Sequence, residues 1–195
     1  MNDIGYKILR PFVKFYFKSK FHPTVIGKEN IPKSGPIILC GNHKHVHDQY
    51  NVMIVTNRVI HYMAKDEYFK GPSKWFYKLA GCISVNRSIH DEHAKSEALK
   101  VLNSGGALGI FPEGTRNKTI GTKNEVQLLP FKYGAVSLAK KTNALIVPFG
   151  ISGEYTGKKG NLVTRIGKPF SVNDLELEEA NAVLREKITK LMKKN

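Results

Sequence analysis

PIILCGNHKHVHDQYNVMIVTN, Pro36 to Asn57, changes character twice. PIILCGN (Pro36–Asn42) is a short apolar run closed by glycine and reads as a strand. DQYNVMIVTN (Asp48–Asn57) reads as a helix with Asp48 near its start. Between them lie three histidines and the aspartate, in NHKHVHD. Where strands feed helices in this way, ligands bind beyond the carboxyl ends of the strands. The polar residues that follow this strand are therefore candidates for a site.

The same alternation runs outward along the chain. Strands are expected in RVIHYMA (Arg58–Ala64), GCISVNR (Gly81–Arg87), ALGIFPEG (Ala107–Gly114), ALIVPFGISG (Ala144–Gly153) and LVTRIGKPF (Leu162–Phe170). Helices are expected over Asp91–Asn103, Phe131–Asn143 and Asp174–Lys194, and helical pieces broken at Gly71-Pro72 within Glu67–Ala80. The fold class is α/β, helices around a largely parallel sheet. Three loops that follow strands carry the chemistry: His43 in the first, Arg87 in the second, Glu113 and Arg116 in the third.

A chain of 195 residues is the size of one domain, with room for a core. Cys40 and Cys82 are too few for a disulfide framework, and both sit in apolar runs. Buried free thiols in a reducing compartment are expected. The sequence opens without a signal-peptide pattern and holds no apolar run of about 18 residues, so a cytosolic chain with no membrane span is expected. Against 16 acidic residues stand 31 lysines and arginines, a formal net charge of +15. Such a surplus implies polyanionic company. The aromatics match no RNA-binding motif, so nucleic acid is not the expected partner.

Residues 1–20 point instead to a lipid surface. On a helical wheel Ile4, Ile8, Phe12, Phe15 and Tyr16 share one face, widened by Tyr6, Leu9, Val13 and Phe17. Lys7, Arg10, Lys14 and Lys18 make a cationic stripe beside it. That pattern suits a helix lying among anionic headgroups, and equally a helix docking on the core; the charge favours the membrane. Pro11 argues for two helices rather than one.

HxHxHD resembles the HxHxDH zinc motif of metallo-β-lactamase-type hydrolases. However, its last two residues are interchanged, and the other histidines are only His22, His61, His90 and His93. Later ligands are lacking, so no metal is expected. The acid–base reading needs only two residues. A continuous helix would set His43 and Asp48 about 140° apart. With His43 in the turn and Asp48 in the first helical turn, the loop can fold back. The carboxylate then holds one ring nitrogen and leaves the other for substrate. No GxSxG elbow supplies a nucleophile. Cys40 lies inside its apolar run, so the substrate's own hydroxyl is the simpler candidate. FPEGTRN (Phe111–Asn117) offers close backbone approach at Gly114, a hydroxyl at Thr115 and a planar cationic fork at Arg116. Glu113 would repel phosphate unless paired with a base such as Arg116 or bonded to a substrate hydroxyl. Arg87 and Lys65 are further candidate cations.

These residues together resemble the glycerolipid acyltransferases. NHKHVHD is similar to their NHx4D block, GCISVNR to their second, FPEGTR to their third, and ALIVPFGISG, with Pro148, to their fourth. VIGKENIP (Val25–Pro32) and LPFKYGA (Leu129–Ala135) resemble the flanking text, so the likeness runs over residues 25–153. The resemblance implies a mixed β-sheet flanked by helices, with an amphipathic N-terminal helix, in one domain over residues 1–195. It implies that His43, oriented by Asp48, deprotonates the free hydroxyl of lysophosphatidic acid. The alkoxide then attacks acyl-CoA or acyl-acyl-carrier-protein, making phosphatidic acid with neither metal nor cofactor. Glu113, Gly114 and Arg116 would bind the glycerol phosphate, with Arg87 assisting; Thr115, Lys65 and Pro148 complete the candidate substrate-binding set. The protein would sit peripherally on the cytoplasmic membrane face, against anionic lipids. Another lysophospholipid or lipid acceptor is the alternative. Relatives often carry a small hydroxyl residue between the His and Asp; here Lys44, His45 and His47 stand there. The two extra imidazoles could perturb a local pKa or meet phosphate when protonated.

Overall fold

Residues 37 to 41 alternate Ile37 and Leu39 on one side with Ile38 and Cys40 on the other, and all four are buried. This strand, β2 (Ile37–Gly41), is the middle of a seven-stranded sheet in a computed structural model that describes residues 3–86, 88–89, 91–118 and 127–193. Along the sheet β2 is preceded by β1 (Thr24–Ile26), β7 (Val163–Ile166) and β6 (Leu145–Ser152), and followed by β5 (Ala107–Ile110), β3 (Ile60–Lys65) and β4 (Ile83–Val85). Neighbours are parallel except β6 with β7, which run antiparallel. The fold is therefore mixed α/β.

Two apolar layers cover the sheet. Ile38, Cys40, Leu108 and Ile146 pack under α4 (Glu92–Asn103), α5 (Gly134–Thr142) and α6 (Leu177–Lys193), through side chains such as Ala98, Val136, Leu184 and Ile188. Ile37, Leu39, Val147 and Phe149 pack on the other side, with Phe17 and Phe21 of α1 (Asp3–Phe21) and Val52 of α2 (Asp48–Met53). A strand covered on both faces is apolar at every position, which is why PIILCG reads as a continuous run. The short helix α3 (Lys74–Leu79) follows a 3₁₀ turn at Asp66–Phe69, so the expected break at Gly71-Pro72 is present.

Three details differ from the sequence reading. The helix after the histidines ends at Met53 rather than Asn57. A strand at Thr24–Ile26 lies in the VIGKENIP segment, where none is expected; it pairs with β7, far away in sequence. Moreover, α1 is one helix through Pro11. Pro11 is exposed, so the carbonyl that its ring deprives of a partner lies on a side open to water, where the cost is smallest.

The amphipathic helix has two apolar faces, not one. Tyr6, Phe17 and Phe21 are buried against the sheet layer, while Ile4, Ile8, Phe12 and Phe15 stand 57–76% exposed. Arg10 leaves the cationic stripe: its guanidinium donates to the Met53 carbonyl (3.2 Å) and to Asn57 Oδ1 (3.1 Å), pinning α1 to the end of α2. Among the described residues no helix is long and apolar enough to cross a membrane.

Candidate active site

His43 follows β2 and Asp48 opens α2, so the loop between them turns the chain back on itself. His43 Nδ1 lies 2.8 Å from Asp48 Oδ2. An ionised carboxylate only accepts, so Nδ1 is the protonated nitrogen and donates. Nε2 is left for a molecule in the cavity that His43 lines. Asp48 is fully buried, and its charge is balanced by donors. Oδ2 also accepts from the backbone amides of Lys44 (2.6 Å) and His45 (2.7 Å), and Oδ1 from the Tyr155 hydroxyl (2.5 Å). Such a nest satisfies the hydrogen-bonding capacity of a buried carboxylate without an arginine.

The FPEGTRN loop at the end of β5 grips the same histidine. The His43 amide donates to Glu113 Oε1 (2.9 Å), and the Asn117 amide donates to the His43 carbonyl (2.6 Å). The imidazole stacks on Phe111, centroids 4.2 Å apart and planes 13° from parallel; Phe111 in turn stacks on Tyr62. Gly109 makes room for Tyr62, since a Cβ there would lie 2.2 Å from its ring. Gly114 takes φ +69°, a conformation suited to glycine, and turns the loop towards the cavity.

Glu113 does not pair with Arg116. It is 4% exposed, and its oxygens accept from the His43 amide, Asn117 Nδ2 (3.0 Å) and the Leu129 amide (2.9 Å). The carboxylate thus joins the two histidine-bearing and arginine-bearing loops, and it does not line the cavity. Pro148 lies inside β6, in register with Cys40 of β2, and does not line it either. Gly114, Thr115, Arg116 and Lys65 do. Arg87 lies outside the described residues.

The cavity holds about 760 Å³. Its lining divides by chemistry. Tyr6, Leu9 and Val13 of α1, Met53 of α2 and Phe76 of α3 supply apolar walls, whereas Lys65, Lys95, Arg116, Lys132 and Lys141 supply cations. Exposed Val46, Ile89 and Tyr133 also border it. Cys40, fully buried beneath α4–α6, is not part of the lining. Burial pushes its thiol well above the ordinary thiol range, which makes it a poor nucleophile.

The three imidazoles of NHKHVHD diverge in role. His45 stacks on the Tyr155 ring at 4.1 Å, and His47 lies between Phe21 (5.3 Å) and Tyr50 (5.5 Å). Neither lines the cavity. Desolvation among these rings lowers both pKa values, which favours the neutral form over a phosphate-binding cation. Their work is aromatic packing that fastens the end of α1 to the loop. Among the described residues, no group of three or more His, Cys, Asp or Glu side chains is placed to share one ion.

Several structural partners escaped the motif reading. Asn42 exchanges two hydrogen bonds with the Ile151 backbone and ties β2's end to β6; Asn117 holds Glu113; Tyr155 holds Asp48. Both asparagines stand inside the quoted motifs and were the available signal. Tyr155 follows ALIVPFGISG by two residues and has no spacing signal at all.

The site thus sets a buried carboxylate, bonded to an imidazole, beside a cavity with apolar walls and a cationic border. The acyltransferase family model matches residues 22–152, and the chain belongs to that family. The 1-acyl-sn-glycerol-3-phosphate acyltransferase of Bacillus subtilis (strain 168) is 30% identical over 199 aligned residues, covering 96% of this chain and 95% of that one. The enzyme of the same name from Borreliella burgdorferi is 28% identical, covering 85% and 70%. The crystal structure of the 1-acyl-sn-glycerophosphate (LPA) acyltransferase, PlsC, from Thermotoga maritima shares the fold. Its TM-score is 0.73 at 24% identity, over 95% of this chain and 78% of that one.

Proposed function

We propose that this chain transfers a fatty acyl group from a thioester to the free hydroxyl of lysophosphatidic acid, giving phosphatidic acid for phospholipid synthesis. The observation that carries the reading is the His43–Asp48 pair at the cavity wall. His43 Nε2 takes the hydroxyl proton, and Asp48 stabilises the imidazolium that forms. The alkoxide attacks the thioester carbonyl; as the tetrahedral intermediate collapses, the C–S bond breaks and the thiolate leaves with the proton from His43. The step uses neither a metal nor an acyl-enzyme. Arg116 and Lys65, with Thr115 and the Gly114 backbone, hold the acceptor's phosphate, and Arg87 is a further cation for it. Glu113 serves by fixing His43 rather than by touching substrate. The apolar walls take the acyl chain.

Both acyl-CoA and acyl-acyl-carrier-protein are anionic donors that suit a +15 chain. Purified protein incubated with lysophosphatidic acid and each thioester, the lipid product read by mass, tests the reading. Phosphatidic acid is expected from at least one donor. Its absence with both, alongside product from another lysophospholipid, would move the acceptor to that lipid.

The exposed stripe of Ile4, Ile8, Phe12 and Phe15, flanked by Lys7, Lys14 and Lys18, is the surface that meets the bilayer. A donor carried on CoA or acyl carrier protein supports the cytoplasmic side as the face where that surface works. Phe12→Asp with Phe15→Asp is expected to lower co-sedimentation with anionic vesicles by at least about tenfold, since two aromatics moved from water into the bilayer contribute well over 1.4 kcal/mol. Thermal unfolding should stay unchanged because neither ring is in the core. Undiminished vesicle binding would rule the stripe out.

A further inference from the structure

We infer that Tyr155 is a positioning residue for acyl transfer, its hydroxyl holding the carboxylate of Asp48 and so setting the charge and aim that Asp48 presents to His43. The inference rests on the acid–base reading above and extends it to a residue outside the motifs.

Four donors converge on Asp48. Three of them, His43 Nδ1 and the amides of Lys44 and His45, fall on Oδ2. Tyr155 donates to the other oxygen, Oδ1, at 2.5 Å. The direction of that bond is fixed by a neighbour, because Asn51 Nδ2 donates to the same phenol oxygen at 2.8 Å. The hydroxyl's single proton is therefore directed to Asp48. Burial and the adjacent carboxylate raise the phenol's pKa, so Tyr155 stays a donor throughout the working pH range.

The loop that carries Tyr155 is fastened to the histidine loop independently of that hydroxyl. Lys44 Nζ donates to the Gly153 carbonyl (2.5 Å) and to Glu154 Oε1 (3.1 Å), and His45 stacks on the phenol ring. Lys44 and His45, the unusual residues between His43 and Asp48, thus hold in place the loop that supplies Asp48's fourth donor.

Removing the hydroxyl has two consequences. Asp48 loses one of the bonds that fix its rotamer. Its negative charge is also less dispersed, so it stabilises the His43 imidazolium more strongly. A base that keeps its proton to higher pH gives an acid limb of kcat/KM displaced to higher pH.

The experiment compares wild type, Tyr155→Phe, Phe21→Leu and His43→Ala with lysophosphatidic acid and the better thioester donor. Tyr155→Phe keeps the ring on His45; its kcat is expected to fall about tenfold, the lower end for a hydrogen bond to a charged group. KM should stay within about twofold, and the acid limb should move to higher pH. Phe21→Leu, which loosens the packing around the ring at 5.4 Å, should lower the unfolding temperature and leave the acid limb in place. Asn51→Ala, which removes the hydroxyl's own donor, should shift the limb in the same direction by less, and supplies the test if Phe at 155 prevents folding. Wild-type kcat and an unmoved limb in both Tyr155→Phe and Asn51→Ala, with His43→Ala inactive, would overturn the role of Tyr155 and leave the base intact. An active His43→Ala would overturn the acid–base reading itself, and the role of Tyr155 with it.

Discussion

His43→Ala is expected to slow acyl transfer to lysophosphatidic acid by roughly 10²- to 10⁴-fold, the usual contribution of a positioned general base. The fold should survive the change. His43 is tied to the third motif through its backbone, by the amide to Glu113 and the carbonyl from Asn117, and alanine retains both. Asp48 keeps the Lys44 and His45 amides and the Tyr155 hydroxyl, so its buried charge is not orphaned. What is lost is the imidazole and its stack on Phe111, about 1 kcal/mol as packing. Steady-state thiol release and an unfolding curve, taken on the same preparation, separate the two effects. A loss of less than about tenfold in rate would remove His43 from the base role.

Glu113→Ala is expected to cost both stability and activity. Its removal takes the acceptor from the His43 and Leu129 amides, while Asn117 Nδ2 keeps its bond to the Gln127 carbonyl (2.8 Å). Buried donors left unpaired cost about 1–3 kcal/mol each, partly relieved by water entering the gap, so about 2–4 kcal/mol is expected for the two amides. For a chain of this size that corresponds to roughly 10 °C in unfolding temperature. The rate falls as well, because the strand end that presents His43 loses its anchor. Glu113→Gln should be intermediate, since its single carbonyl cannot accept everything the two carboxylate oxygens accept. A substrate-contact role for Glu113 would show the opposite pattern, a raised KM for the acceptor with an unchanged unfolding curve.

How legible the sequence is varies with the range of the interaction. The strand–helix order was legible because central parallel strands are apolar at every position, and glycine or polar loops close them. Both ends of the His43–Asp48 contact sit in one loop, so spacing reports it. The same holds for Gly114, Thr115 and Arg116, which travel together. Glu113 shows where such reading stops. A carboxylate next to an arginine suggests an ion pair, yet its acceptors are used by an amide 70 residues earlier and another 16 residues later. Tyr155 and Asp48 are 107 residues apart and meet because β6 lies beside β2. In α1, the wheel shows where the apolar residues are but not that two separate faces exist, one for the sheet and one left bare; only the packing of Phe17 and Phe21 divides them. The spare histidines are a similar case. Their meaning depends on Phe21, Tyr50 and Tyr155, none of which the motif contains.

If the His43–Asp48 pair activates the acceptor, the acyl group passes directly from thioester to lipid hydroxyl. Rapid-mixing measurement of thiol release, with and without lysophosphatidic acid, tests it most directly. No thiol burst is expected when enzyme meets the thioester alone, and release should equal the phosphatidic acid formed once acceptor is added. A burst equal to the enzyme concentration before any acceptor is present would contradict it, because it would mean that a side chain, not the lipid, receives the acyl group first.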